Sequence, residues 1–219
     1  MKHPLIIGNW KSHKTILQAR EWFGEIAAEL GSARSADVVL CPSFQLLSLC
    51  AEEIKKNQLN WVLGAQNVSP FPEGKHTGEV NAVQLRDLVQ YVLIGHSERR
   101  NEFGETDEIL FEKVKRVREA GLSPIYFVQG ETTPVPEGIG IVAYEPIFAI
   151  GTGNPDTPED AEKVAHYFKT KHHVPTVLYG GSVDEKNVGL FMSCSSIDGI
   201  VPGTASLDPV GFAHLIHNA

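Results

Sequence analysis

The sequence is short of cysteine, of basic charge and of long apolar runs, and each shortage removes a class of protein. Three cysteines in 219 residues, Cys41, Cys50 and Cys194, are odd in number and have no CxxC spacing. Neither a disulfide framework nor a thiolate metal centre is expected, and the thiols read as reduced and mostly buried, in a cytoplasmic protein. Nineteen Lys and Arg stand against 27 Asp and Glu, a formal net charge of −8. Nucleic acids and anionic membranes are held by a positive field, so neither is expected as a partner, and an anionic substrate would need locally placed donors. No apolar run approaches the length of a bilayer span, and the opening "MKHPLIIGNW" enters a strand-like pattern without the layout of a signal peptide.

What the chain does have is repetition. Eight short apolar runs recur along it: "PLIIGNW", "DVVLCP", "WVLGAQN", "YVLIGHS", "PIYFVQG", "GIVAYEP", "TVLYGGS" and "IDGIVPG". Most are separated by segments of helical spacing. In "DEILFEKVKRVREAG", for example, Leu110, Val114 and Val117 share one face and Gly121 is placed to end the helix. Alternating strands and helices imply a parallel sheet, and eight units in about 200 residues favour an α/β fold of the closed (β/α)8 barrel type, one domain over residues 1–219. An open doubly wound sheet remains the alternative, although the first run is not followed by the GxGxxG of a dinucleotide site. At Thr157-Pro158-Glu159-Asp160, a cap, a proline and two acids in order predict a helix start.

One unit lacks its helix. Between Val128 and Ile141 the chain offers only "QGETTPVPEGIG", too rich in proline and glycine for a regular helix. The helix between strands five and six is therefore expected to be missing or reduced, leaving the outer face of those strands exposed.

In barrels of this architecture the active site is built at the C-terminal strand ends, so the polar residues that finish the runs are the candidates. Asn9 and Lys11 finish the first, His96 and Glu98 the fourth, Glu145 the sixth, Gly180-Gly181-Ser182 the seventh and Pro202-Gly203-Thr204 the eighth. Singly, each has an ordinary reading: Lys11 as a solvated lysine, His96 as a capping histidine, Glu145 as a strand-end carboxylate. The acids Glu102, Glu105, Asp107 and Glu108 read as a charged helix start without a catalytic role. The pairs His172-His173 and His214/His217 lack a nearby carboxylate in their helix pattern and read as surface residues, so no metal site is expected.

Taken together, "GNWK", "GAQN" with "TGE", "YVLIGHSERR", "AYEPIFAIGTG", "YGGS" and "DGIVPGTASL" resemble the triosephosphate isomerase family, in family order from residue 5 to about residue 215. The resemblance implies a cofactor-free isomerase of glycolysis and gluconeogenesis that interconverts dihydroxyacetone phosphate and D-glyceraldehyde 3-phosphate. It assigns Glu145 as the base, His96 as the electrophile, Lys11 as the cation against developing oxyanion charge, and supporting hydrogen bonds to Asn9 and Glu98. Gly151, Ser182, Gly203 and Thr204 would bind phosphate. Pro146, Ile147, Phe148, Ala149, Ile150, Thr152 and Gly153 would form a lid, latched by Tyr179. The loop containing Thr77 would reach into a second copy and make a homodimer. This pairing of a neutral histidine with a glutamate base and a water-excluding lid is a known pattern of catalysis in that family. Two departures stand out: Phe148 replaces the family's usual tryptophan, and "VPGTAS" replaces Val-Gly-Gly-Ala-Ser, which puts a threonine side chain beside the phosphate. The alternative is a non-catalytic barrel, or one that binds a different phosphate.

Overall fold

The computed structural model describes residues 3–31, 36–147 and 156–219. Eight parallel strands close into a barrel in sequence order: β1 (Leu5–Asn9), β2 (Asp37–Cys41), β3 (Val62–Ala65), β4 (Tyr91–Ile94), β5 (Ser123–Val128), β6 (Ile141–Tyr144), β7 (Thr176–Tyr179) and β8 (Gly199–Ile200). Closure runs through the two-residue β8, which pairs with β1 at Leu5↔Gly199 and Ile6↔Ile200. Around the barrel lie α1 (Ile16–Leu30), α2 (Leu47–Lys56), α3 (Ala82–Leu85), α4 (Ser97–Glu102), α5 (Asp107–Glu119), α6 (Pro158–Lys171), α7 (Val188–Met192) and α8 (Pro209–Asn218).

The two-residue period of the strands separates two cores. Ile7, Val39, Leu93, Ile125, Phe127, Ala143, Leu178 and Val201 fill the barrel interior. Their neighbours Ile6, Val38, Leu40, Val92, Tyr126, Val142 and Tyr179 pack outward with the helices. Glu145 lies two positions past Ala143 and Asn9 two past Ile7, so the same alternation turns both inward at the barrel mouth.

Local signals in the sequence are realised as hydrogen bonds. Thr157 caps α6 by accepting from the Asp160 N–H, with Pro158 in the first turn. Leu110, Val114 and Val117 are the buried face of α5, and Gly121 follows it with φ +77°. His172, His173, His214 and His217 are exposed.

Residues 129–140, between β5 and β6, contain no helix, as the sequence implies. The expected exposure of the flank is wrong, however. Tyr126, Val128 and Val142 are 0% exposed. Val135 and Ile139 of the short connection join the same apolar cluster. The Arg100 guanidinium also lies over the Tyr126 ring, and Phe111 of α5 meets the same ring at a tilt. A proline-rich loop with two well-placed apolar residues, helped by α4 and α5, covers the strands that a helix would cover.

Candidate active site

At the C-terminal mouth of the barrel lies a cavity of about 430 Å³, lined among others by Asn9, Lys11, His96, Glu145, Ser182, Gly203 and Thr204. Five different strand ends, those of β1, β4, β6, β7 and β8, thus converge on one space.

Lys11 is held there by its backbone. Its φ of +50° is in the left-handed region, a conformation that costs a β-carbon residue roughly 1–3 kcal/mol and persists only where neighbours fix it. Two neighbours do. Asn9 Oδ1 accepts from the Lys11 N–H at 3.0 Å, and Gln66 Nε2 donates to the Lys11 carbonyl at 2.9 Å and to the Cys41 carbonyl at 2.8 Å. The Lys11 ammonium, so aimed, pairs with Glu98 at 2.7 Å. Burial raises the Glu98 pKa, but the hydrogen bond and charge of Lys11 outweigh it and hold the carboxyl below its ordinary range.

His96 ends the β4 loop as the N-cap of α4. Its Nδ1 accepts from the Glu98 N–H at 3.3 Å. That bond assigns the tautomer, because a ring nitrogen that accepts carries no proton and a neutral imidazole must then bear its proton on Nε2. Nε2 lies 2.9 Å from Glu145 Oε1, and Glu145 Oε2 accepts from the Ser97 N–H, also at 2.9 Å. Phe127 meets the His96 ring edge to face at 5.2 Å, and Glu145 is only 2% exposed. The base candidate is thus a buried carboxylate facing two donors.

The five residues Asn9, Lys11, His96, Glu98 and Glu145 are brought together as the sequence implies. Thr204, exposed, opens a single turn of 3-10 helix over Thr204–Ser206. Pro146 is buried and Ile147 is 51% exposed, whereas Phe148, Ala149, Ile150, Gly151, Thr152 and Gly153 lie outside the described residues. The Tyr179 hydroxyl accepts from the Asp156 N–H at 2.8 Å. Thr77 is exposed in the β3–α3 loop, away from the cavity.

Two residues that hold the site were missed by sequence reasoning. Gln66 lies in the quoted "GAQN", and its position at a strand end was the available signal. The Ser97 backbone amide offers no such signal, since every residue has one. Glu105 also departs from its reading: it is 8% exposed and bonds Arg99 and the buried Lys113, so it belongs to an internal ion cluster and not to a solvated helix start.

Comparison with known proteins adds an independent line. The profile of the family described as triosephosphate isomerase matches residues 4–139 and 137–219. The chain is similar to the triosephosphate isomerase of Thermus thermophilus, 38% identical over 253 aligned positions that cover 100% of both chains. It is similar to the enzyme of the same name from Endomicrobium trichonymphae, 34% identical with 99% of this chain and 98% of the relative covered. To that of Aquifex aeolicus it is 35% identical, with 98% of each covered.

Proposed function

The chain belongs to the triosephosphate isomerase family, and from that premise we propose that it interconverts dihydroxyacetone phosphate and D-glyceraldehyde 3-phosphate with Glu145 as the base. The observation that carries the role assignment is the 2.9 Å contact of Glu145 with the Nε2 of a neutral His96, at the mouth of a cavity that Lys11 also lines.

A contact that short leaves no room for a substrate between the two groups. Substrate must displace it, and the His96 Nε2–H then passes from the carboxylate to the substrate carbonyl oxygen. Glu145, released from one donor and screened from water, becomes the stronger base. It takes a proton from the hydroxyl-bearing carbon beside the carbonyl, and the electron pair moves to the carbonyl oxygen to give an enediolate. His96 and the Lys11 ammonium stabilise that oxygen's charge. The proton of the neighbouring hydroxyl then passes to the former carbonyl oxygen, and Glu145 returns its proton to the former carbonyl carbon as the other C–O bond becomes the new carbonyl. Substrate and product are isomers, so the sequence balances without oxidant, reductant or cofactor. Glu98 and Asn9 act on the side chain and the backbone of Lys11. Gly151, Ser182, Gly203 and Thr204 take the phosphate end, and residues 146–153 act as lid with Tyr179 as latch.

A homodimer through the Thr77 loop is part of the proposal. It is supported by the exposure of Phe71 in that loop (48%) and of Leu17 at the start of α1 (72%), apolar surface of the kind an interface covers. A cytoplasmic location is supported by three free cysteines. Among the described residues no helix is long and apolar enough to cross a membrane.

The test is turnover of D-glyceraldehyde 3-phosphate by the wild type beside Glu145→Gln, with no metal or nucleotide added. Rapid conversion by the wild type and none by the variant is expected. A folded wild type that converts nothing would mark a binding barrel or a different substrate.

A further inference from the structure

β6 ends at Tyr144, and Asp156 lies one residue before Thr157, the cap of α6. Asp156 is a buried carboxylate, 9% exposed, with no part in the chemistry above. Its Oδ2 accepts from the Tyr144 hydroxyl at 3.0 Å and its Oδ1 from the Thr157 N–H at 2.9 Å, while its own N–H donates to the Tyr179 hydroxyl. The neighbouring cation Lys163 pairs with Asp160 instead.

We infer that Asp156 is a positioning residue for the base: by holding the Tyr144 hydroxyl it fixes the strand end from which Glu145 projects. The inference rests on the reading of Glu145 as base. Tyr144 and Glu145 are consecutive, one side chain packed outward with the helices and the other turned into the cavity. Any roll of the strand end moves both, so anchoring the far end of the tyrosine restrains the carboxylate.

The same residue ties the base to the end of the neighbouring strand β7. Tyr179, which takes the Asp156 N–H, ends β7, and a β-carbon at Gly181 would stand 2.1 Å from its hydroxyl oxygen. The bare backbone of Gly181 is what admits that hydroxyl, in the loop that carries Ser182. The Gly180 N–H also donates to the Tyr144 carbonyl at 2.7 Å. The ends of β6 and β7 are therefore joined twice, once by backbone and once through Asp156.

Stability alone is a poor account of this arrangement. A buried carboxylate with no cation within ion-pair distance among the described residues costs desolvation, and an apolar replacement of similar volume is commonly neutral or stabilising. A fully bonded polar network instead specifies one geometry. Burial, then the charge of Asp156, raise the Tyr144 phenol above its ordinary pKa, so it remains a donor to the carboxylate at all working pH values.

The experiment compares kcat and KM for Asp156→Ala, Asp156→Asn, Tyr144→Phe and the double variant Asp156→Ala/Tyr144→Phe, beside wild type and Glu145→Gln, with thermal melting of each. Asp156→Ala and Tyr144→Phe are each expected to lower kcat about tenfold with KM changed less than about twofold, the scale of a small misplacement of a reacting group. The double variant should be no worse than the poorer single one, and Asp156→Asn, whose one amide oxygen can still accept from Tyr144 while its NH2 replaces the acceptor facing the Thr157 N–H, should recover part of the loss. Tyr144→Phe removes one hydroxyl and keeps the test informative should Asp156→Ala not fold. Normal kcat in Tyr144→Phe, a loss as large in Asp156→Asn as in Asp156→Ala, or a loss that appears in KM would overturn the inference. Residual turnover in Glu145→Gln would instead overturn the base assignment beneath it.

Discussion

His96 Nε2 and Glu145 Oε1 lie 2.9 Å apart across the mouth of the barrel, one from the end of β4 and the other from the end of β6. Only β5 separates the two strands, and both groups are buried. A proton carrier and a proton donor thus share one dry space, with a fixed tautomer on the histidine.

From that geometry, Glu145→Asp should be severely impaired while remaining folded. Shortening the side chain by one methylene draws the carboxylate back from the carbon-bound proton, and general-base catalysis depends on hydrogen-bond reach. A loss of turnover of roughly 10²–10⁴-fold is expected, the usual worth of a positioned acid or base. Steady-state kinetics beside a melting curve checks this, and near-normal turnover would remove Glu145 from the role.

The Lys11–Glu98 pair predicts a pH dependence. Glu98 has its folded pKa held below the ordinary value of 4.5, so the pair's stabilisation is fully present above that value and is lost as pH falls through the lower, folded one. Glu98→Gln should therefore lower the melting temperature at pH 6 to 7, with the gap from wild type closing below about pH 4.5, the unfolded carboxylate range. Glu98 is 40% exposed, so the gap should be small and should shrink in salt. A gap that widens in acid would contradict the sign.

Barrel closure makes a separate prediction. β8 pairs with β1 at only two positions, and a β-carbon on Gly199 would stand 1.9 Å from the Leu5 carbonyl oxygen. The obstacle is backbone, which cannot turn aside as a side chain can. Gly199→Ala should cost about 3 kcal/mol, the upper part of the overpacking range. For a chain of this size that lowers the melting temperature by roughly 6–12 °C. A shift within about 2 °C would mean that closure does not depend on this contact.

How far the sequence carries can be judged from these same residues. Glu145 and Asn9 were legible because a two-residue period and a strand end together decide which way a side chain points. The α6 start was legible because cap, proline and acids are local chemistry. Gln66, the Ser97 amide and the Asp156 carboxylate act on partners that the fold brings in from other strand ends, which no local pattern encodes. The flank of β5 and β6 was misjudged for a related reason. A missing helix is visible in "QGETTPVPEGIG", but the packing of Val135 and Ile139 that replaces it is a tertiary fact.

Thr204 gives the last prediction. It lines the cavity together with Ser182 and Gly203, at the start of a turn whose Ser206 N–H and hydroxyl both donate to the Gly203 carbonyl. The loop is thus fixed by bonds that do not involve the threonine side chain. Thr204→Gly should leave it in place and keep the backbone N–H, while removing a β-carbon and a methyl group from the space proposed for phosphate. If that bulk hinders the anion, KM should fall about threefold to tenfold, up to 1.4 kcal/mol of binding, with kcat nearly unchanged. If KM instead rises, the threonine hydroxyl is a phosphate donor. Thr204→Ser, which keeps the hydroxyl and drops the methyl group, separates the two contributions: the lowest KM of the three belongs to serine when the hydroxyl binds and the methyl obstructs.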